Sequence, residues 1–587
     1  MFLRAKNRVK DGKEHRYWSI VENQRTADKR VVQRQVLYLG EINDSQHAAW
    51  CKTIDVFQGD NGQSRQMALF PDDRQAPELA CEVVRIRLNE LELHRPRQWG
   101  ACWLACHLWN LLDLDDFWSS RLSKNRNKTR WVHVLKTLVS YRLISPGSEW
   151  RLHREWYHRS AMADLLGEDA GLVQKDKLYR CLDKLLPHKE DFFSHLAQRW
   201  KTLFDVSFNV LLYDLTSTYF ESPPPGSGNR QYGYSRDKRP DCVQVVIALI
   251  VTPDGFPLAY EVMPGNTSDK TTLGDFLSKI ENQYGKANRT WVMDRGIPTE
   301  ATLRTMRTSD PPIYYLVGTP RARLNKLEKD FLEKPWQQVR DLVNVKLLSQ
   351  EGELYIMARS GDRVAKERGI RRRRLKKLWN RLKALQSQTL TRDNLLLKLG
   401  AAKKEAGRAY SLVDITLPKP REAVNEETFT FRLRKNRLRT VRRREGCYLL
   451  RSNLIGQDPA TLWKYYIQLT EIEQAFKELK HDLSIRPIYH QVDNRVDAHI
   501  FVSFMAYCLL TTLKHRAKQK APGLTPRAIL EKFSAMQMVD VHLPTTDKRL
   551  LVLPRYTQPD QGQKLLLAQL KLELPAQPPP RIAARAQ

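Results

Sequence analysis

Val210-Leu-Leu-Tyr-Asp214 and Thr290-Trp-Val-Met-Asp294 are two short apolar runs, each ending on an aspartate. A short apolar run of this kind, bounded by turn residues, reads as a buried strand. Both aspartates are therefore expected at strand ends. Between and beyond them lie further strand signals. Val243-Gln-Val-Val-Ile-Ala-Leu-Ile-Val251 is rich in β-branched residues. Thr252-Pro-Asp-Gly255 is a turn, and Phe256-Pro-Leu-Ala-Tyr-Glu-Val-Met263 returns from it. A helix is expected after Pro264-Gly-Asn-Thr-Ser-Asp269, with Ser268 or Asp269 as its cap, and another near 299–308, before a strand over Ile313-Tyr-Tyr-Leu-Val317. The order is three strands that look antiparallel, then strands alternating with helices. It predicts an α/β fold with an RNase H-like mixed sheet flanked by helices.

A third acid, Glu473, lies in an amphipathic stretch read as one helix over Pro459–Leu483. Residues seven apart on a helix fall within about 20° of each other. Tyr466, Glu473 and Lys480 then form one stripe beside an apolar stripe of Leu462, Leu469, Phe476 and Leu483. Glu471 and Glu478 point elsewhere on this geometry. Asp214, Asp294 and Glu473 together can hold two Mg²⁺ ions, with Mn²⁺ able to substitute, because hard divalent cations prefer carboxylate oxygens. Such a pair of ions aligns a nucleophile and a leaving oxygen for attack at phosphorus. Asp214 is the expected bridging ligand. Tyr466 and Lys480 are placed to bind phosphates flanking the reacting one. Singly, each acid has a plain structural reading as a turn, a cap or a solvated charge; the conjunction carries the inference.

The chain has 98 Lys and Arg against 66 Asp and Glu, a formal net charge of +32. An excess this large implies a polyanionic partner, and double-stranded DNA fits it. The densest cluster, Arg371-Arg-Arg-Arg374, lies in a helix expected over Arg363–Leu385 and is read as a DNA contact, as is Arg295. The eight cysteines show no zinc-binding spacing, and Cys102 and Cys106 are read as lining a buried helix face. The N-terminus lacks a signal core, and the apolar stretch Ile500–Leu513 is too short to span a bilayer. A soluble, cytoplasmic, nucleoid-associated protein without a membrane partner is expected.

Six segments are expected: an N-terminal β-rich domain over 1–95, a helical domain over 96–205, to which the family resemblance given next assigns DNA-end binding, a first catalytic part over 206–320, a β-rich insertion with the basic helix over 321–449, a second catalytic part over 450–540, and a C-terminal tail over 541–587 that reads as disordered. Arg16-Tyr-Trp-Ser-Ile-Val21 and Val31–Leu39 read as a hairpin, with strands and short helices continuing to 95, and Lys124–Arg130 is a basic loop.

Tyr466-Ile-Gln-Leu-Thr-Glu-Ile-Glu473-Gln-Ala-Phe-Lys-Glu-Leu-Lys480 is similar to the Tyr-x₂-Arg-x₃-Glu-x₆-Lys signature of bacterial insertion-sequence DDE transposases with a β insertion. Leu469 stands where that signature has Arg, and Lys477 is the expected replacement contact. The resemblance extends to Tyr213-Asp-Leu-Thr-Ser-Thr218, Gly233-Tyr-Ser-Arg-Asp-Lys-Arg-Pro-Asp241, Pro264–Asp269, Arg486-Pro-Ile-Tyr-His490 and His499. It implies cut-and-paste transposition: cleavage at the element's terminal inverted repeats, then attack of the freed 3′-OH on target DNA, by a homodimer. A hairpin route is known among such relatives, and Trp379 is a candidate for stacking on a flipped base. Two other readings remain, a catalytically inactive transposase acting as a repressor and a structure-specific nuclease of the same fold.

Overall fold

A computed structural model describes residues 2–10, 13–25, 31–40, 86–122, 129–225, 228–268, 272–285, 289–319, 327, 330–331, 333–546 and 548–584. The expectations for 41–85, for most of the basic loop at 124–130 and for Asp269 lie outside these residues. The chain divides into two compact units. The first comprises 1–208, 212–285 and 470–587; the second comprises 209–211 and 286–469.

In the first unit, β1 (Phe2–Lys10), β2 (Lys13–Arg25) and β3 (Val31–Gly40) form an antiparallel sheet. The expected hairpin is β2–β3, and β1 adds a strand that the polar sequence hides. β4 (Glu92–Gln98) follows, and then helices Gly100–Leu111, Leu114–Arg121, Trp131–Ile144, Lys175–Leu182 and Lys189–Phe204. Cys102 and Cys106 are buried on the first of these and unbonded, as expected of a packed helix face. β5 (Val210–Phe220) begins in the second unit and passes into the first after Leu211. It pairs antiparallel with β6 (Val243–Val251), and β6 with β7 (Pro257–Pro264). Every residue of β6 is buried, which its unbroken apolar run dictates.

The helix Asp493–Lys520 is the centre of this unit. It is long and apolar enough to cross a membrane, but 94% of its apolar window is buried inside the protein. Phe504 stacks on Tyr260 of β7 with ring centroids 4.0 Å apart, Tyr507 Oη donates to Gly255 O at 2.9 Å, and Trp200 Nε1 donates to Thr512 Oγ1 at 3.1 Å. These contacts clamp the β6–β7 turn and the Lys189–Phe204 helix to one core element.

The second unit carries β8 (Thr290–Met293), parallel to β9 (Tyr314–Gly318), with the helix Glu300–Thr308 between them. The sheet continues antiparallel from β9 through β15 (Cys447–Ser452), β12 (Glu353–Ser360) and β11 (Val343–Gln350) to β10 (Gln337–Arg340). The expected alternation of strand and helix after the antiparallel trio is present. The insertion's strands are mostly sheet extensions. Between β12 and β15 the chain is largely helical, with Gly361–Gln386, Arg392–Ala406 and Lys435–Arg444 beside the small hairpin β13 (Val413–Thr416) and β14 (Thr430–Leu433). Leu378, Leu382, Leu385, Leu395, Leu399 and Phe429 form its core.

The C-terminal segment is folded, which corrects the expectation of a disordered tail. β16 (Gln537–Pro544) pairs with β4 and with β17 (Arg549–Tyr556), which pairs with β18 (Arg581–Ala584). The helix Gln561–Leu570 carries a capping box from Asp560 and Gln563. The proline-rich stretch is held through its carbonyl oxygens, with Tyr556 Oη donating to Pro575 O and Arg555 Nη1 donating to Pro578 O, each at 2.5 Å. Arg97 of β4, 1% exposed, ties the ends of the unit together by donating to Asp164 at 2.7 Å and Asp540 of β16 at 2.9 Å. Breaking one arm of a buried ion pair costs about 3–5 kcal/mol. Asp540→Ala should therefore lower the unfolding midpoint of the full chain markedly in urea, and an unchanged midpoint would show that the tail adds nothing to the fold.

Candidate active site and nucleic-acid interface

Asp214 is the fifth residue of the eleven-residue β5, opposite Leu249 of β6, and not at a strand end as expected. The apolar run stops at Asp214, but Leu-Thr-Ser-Thr continues the pairing with β6. Its neighbours Leu211–Tyr213 and Leu215–Thr218 are all buried, while Asp214 itself is half-buried. The strand therefore offers a fixed platform for one carboxylate.

The single helix expected over Pro459–Leu483 is three pieces: Pro459–Ile467, Leu469–Lys477 and a wider π-helical turn over Glu478–Asp482. The first break falls where the chain passes from the second unit to the first. A π-turn also changes the angular step between residues. The continuous stripe through Tyr466, Glu473 and Lys480 therefore does not hold. Glu473 is exposed on the middle piece, whose Ile472, Ala475 and Phe476 are buried. Its acidic neighbours are neutralised. Glu471 pairs with Lys514 at 3.2 Å, and buried Glu478 accepts from Gln474 Nε2 at 2.9 Å and lies 3.6 Å from Lys514. Burial pushes the Glu478 carboxyl up. Among the described residues Glu473 has no such partner. Lys477 is exposed on the same turn.

Lys480 is not free. Its Nζ lies 2.8 Å from Asp237 Oδ1, and Arg486 bonds the same oxygen. Both Lys480 and Asp237 are largely buried, and burial pushes the lysine amine down. Asp237 belongs to the Gly233–Asp241 stretch, whose backbone is docked on the sheet. Arg236 N donates to Ser217 Oγ of β5 at 3.3 Å. Two glycines permit the approach: a Cβ at Gly233 would stand 2.0 Å from Gly265 O, and one at Gly265 2.1 Å from Gln244 O. Asp237 and Arg486 had no assigned role in the sequence reading. Their signal was the pair of motifs that contain them.

In the second unit Asp294 directly follows β8 and is exposed, as is Arg295. Gly318, the last residue of β9, leaves room for this turn, since a Cβ there would lie 3.1 Å from Arg295 N and 3.3 Å from Asp294 Oδ1. Tyr466 belongs to the same unit. Burial, and next the Asp294 charge, push its hydroxyl up to about 12, so it stays a protonated donor. It packs beside Tyr448 and Trp463, with ring centroids 5.7 Å and 6.1 Å away.

The basic helix Gly361–Gln386 is sorted by burial. Arg371 faces inward and pairs with buried Glu445 at 2.5 Å, which corrects its reading as a DNA contact; Arg372, Arg373 and Arg374 are exposed. Trp379, half-buried, packs edge-on against Phe431 at 4.9 Å beside the core of these helices.

Residues 208–509, just over half of the chain, match the transposase DDE domain, and residues 3–54 match the N-terminal domain of the IS1634 family transposases. The chain belongs to the DDE transposases. The cryo-EM synaptic complex of piggyBac transposase with hairpin DNA is a similar solved structure, at 9% identity over 74% of this chain and 77% of that one, with a TM-score of 0.33. A comparison with curated proteins finds no match. DDE transposases act on DNA and use divalent metal ions, and carboxylate oxygens such as those of Asp214, Asp294 and Glu473 suit hard cations.

In this transposase Asp237 holds two cations, Lys480 and Arg486. Asp237→Asn should steepen the dependence of log Kd for duplex DNA on log salt by about one unit, since each additional phosphate contact adds roughly that slope. A slope equal to the wild type would show that Lys480 and Arg486 do not meet DNA.

Proposed function

We propose that the transposase cleaves double-stranded DNA at the terminal inverted repeats of its element and joins the freed ends to target DNA, using Asp214, Asp294 and Glu473 as ligands of two Mg²⁺ ions. The carrying observation is electrostatic. On a chain of net charge +32, Asp294 and Glu473 are exposed acids without an ion-pair partner among the described residues, while Glu471 and Glu478, which flank Glu473 in the sequence, are both paired. Acids kept unpaired amid excess cations suit a metal ligand role.

When bound, the ions supply Lewis-acid stabilisation of charge at phosphorus and a deprotonated oxygen nucleophile. The chain's own part is to hold the carboxylates fixed on β5, after β8 and on the Leu469–Lys477 helix. The neutral Tyr466 hydroxyl donates to a phosphate oxygen, and Lys477, Arg295 and Arg372–Arg374 track the backbone. In cleavage a water oxygen bonds to phosphorus as the bond to the 3′ oxygen breaks. In joining, that 3′ oxygen bonds to a target phosphorus and releases a target 3′-OH. Two ends must be joined in one event, so a homodimer on DNA is the working assembly.

Asp294→Asn and Glu473→Gln should each lower Mg²⁺-dependent cleavage of a cognate end by at least about 10³-fold, because a metal ligand supports several kcal/mol of transition-state stabilisation. Gel-shift affinity for the same end should survive in both. Cleavage retained in either variant refutes the ligand set, and cleavage without transfer of a 3′ end to a second duplex would make the protein a nuclease.

A further inference from the structure

We infer that Lys514, on the core helix Asp493–Lys520, is a positioning residue for Glu473: it clamps the Leu469–Lys477 helix to the β6–β7 turn and so fixes the Glu473 carboxylate relative to Asp214. This rests on the metal-ligand reading of those two acids. Lys514, Glu471, Glu473, Glu478, Asp214 and the turn all belong to the first unit.

Lys514 bridges two acids that stand on either side of a change in helical winding. Its Nζ lies 3.2 Å from Glu471 Oε2, on the α-helical piece, and 3.6 Å from Glu478 Oε1, on the first residue of the π-turn. Glu473 lies between these two anchors in the chain. Glu478 is 4% exposed, and Gln474 Nε2 donates to its Oε1 at 2.9 Å. Its Oε2 is buried without a hydrogen-bond partner among the described residues. A buried carboxylate satisfied on one oxygen alone depends on a nearby cation. Among the described residues Lys514 is the cation within ion-pair distance of it.

The same lysine stands against the sheet. Tyr507 lies seven residues earlier on the core helix, and so within about 20° of Lys514 around its axis. Its Oη donates to Gly255 O at 2.9 Å. Gly255 closes the β6–β7 turn at a φ of 89°, and a Cβ there would stand 3.7 Å from Glu471 Oε2, 3.9 Å from Tyr507 Oη and 4.0 Å from Lys514 Nζ. The turn, the core helix and the acids flanking Glu473 therefore meet at one point. β6 leads into this turn, and its Leu249 is the partner of Asp214 on β5. A side chain that ties the Glu473 helix here ties it to the strand pair that carries Asp214. Ion pairs between partly exposed groups, such as Lys514 with Glu471, add little to stability. The contribution of this one is geometric, because carboxylates that share metal ions must be held in place by the residues behind them.

The test titrates Mn²⁺ into full-length protein bound to a duplex of the element's end. The electron paramagnetic resonance signal of free Mn²⁺ gives the affinity, and urea unfolding without metal gives the stability. Lys514→Met should weaken Mn²⁺ binding on the order of tenfold, as loss of a residue supporting a metal ligand does. Lys514→Arg, which keeps the charge, should restore most of that affinity. The double variant Lys514→Met/Glu478→Gln leaves no uncompensated buried charge, so its urea midpoint should return to that of wild type while Mn²⁺ binding stays weak. Wild-type affinity in Lys514→Met overturns the inference, and so does an affinity as low in Lys514→Arg as in Lys514→Met. Recovery of affinity in the double variant would make Lys514 a counter-charge for Glu478 alone and would equally overturn it. Mn²⁺ binding as tight in Glu473→Gln as in wild type would overturn the metal-ligand reading itself, and the positioning role with it.

Discussion

Negative charge held without a protein cation is the constraint from which the rest of this transposase follows. The chain has an excess of 32 positive charges, yet Asp294 and Glu473 are exposed and have no ion-pair partner among the described residues. Several other lysines and arginines of the chain are held by acids of their own. Lys514 is occupied by Glu471 and Glu478, Lys480 and Arg486 by Asp237, and Arg371 by Glu445.

Rigidity is the second requirement, and the core supplies it. β6 is buried along its full length, and β5 lies against it with every neighbour of Asp214 buried. The helix Asp493–Lys520 holds the β6–β7 turn through Tyr507 and stacks on Tyr260. A side chain on such a strand has little freedom to relax, which favours a fixed over an adaptive position for the Asp214 carboxylate.

Much of this was legible in the amino-acid sequence, for physical reasons. Unbroken β-branched runs mark buried strands wherever they occur, so β5 to β9 and their order could be read directly. The three acids were found because each stands at the edge of an apolar pattern. Asp214 was misplaced to a strand end since the Thr and Ser residues that continue β5 carry no apolar signal. The helix after Pro459 looked continuous because its apolar spacing survives, whereas the break at Gln468 and the π-turn at Glu478 arise from tertiary packing. Arg371 is indistinguishable from Arg372 by composition; only the position of Glu445, distant in sequence, turns it inward. The C-terminal strands escaped notice because β16 finds its partner in β4, far away in the chain, and proline content suggested disorder. Asp237 needed the same long-range information.

The central claim is that three carboxylates share two divalent ions. Its most direct test is electron paramagnetic resonance of the DNA-bound transposase titrated with Mn²⁺. The account predicts two ions per chain with an exchange-coupled spectrum, as expected for ions about 3.5–4 Å apart, and loss of the coupling in Asp214→Asn. Uncoupled Mn²⁺ signals, or a coupled pair that persists in that variant, would contradict it.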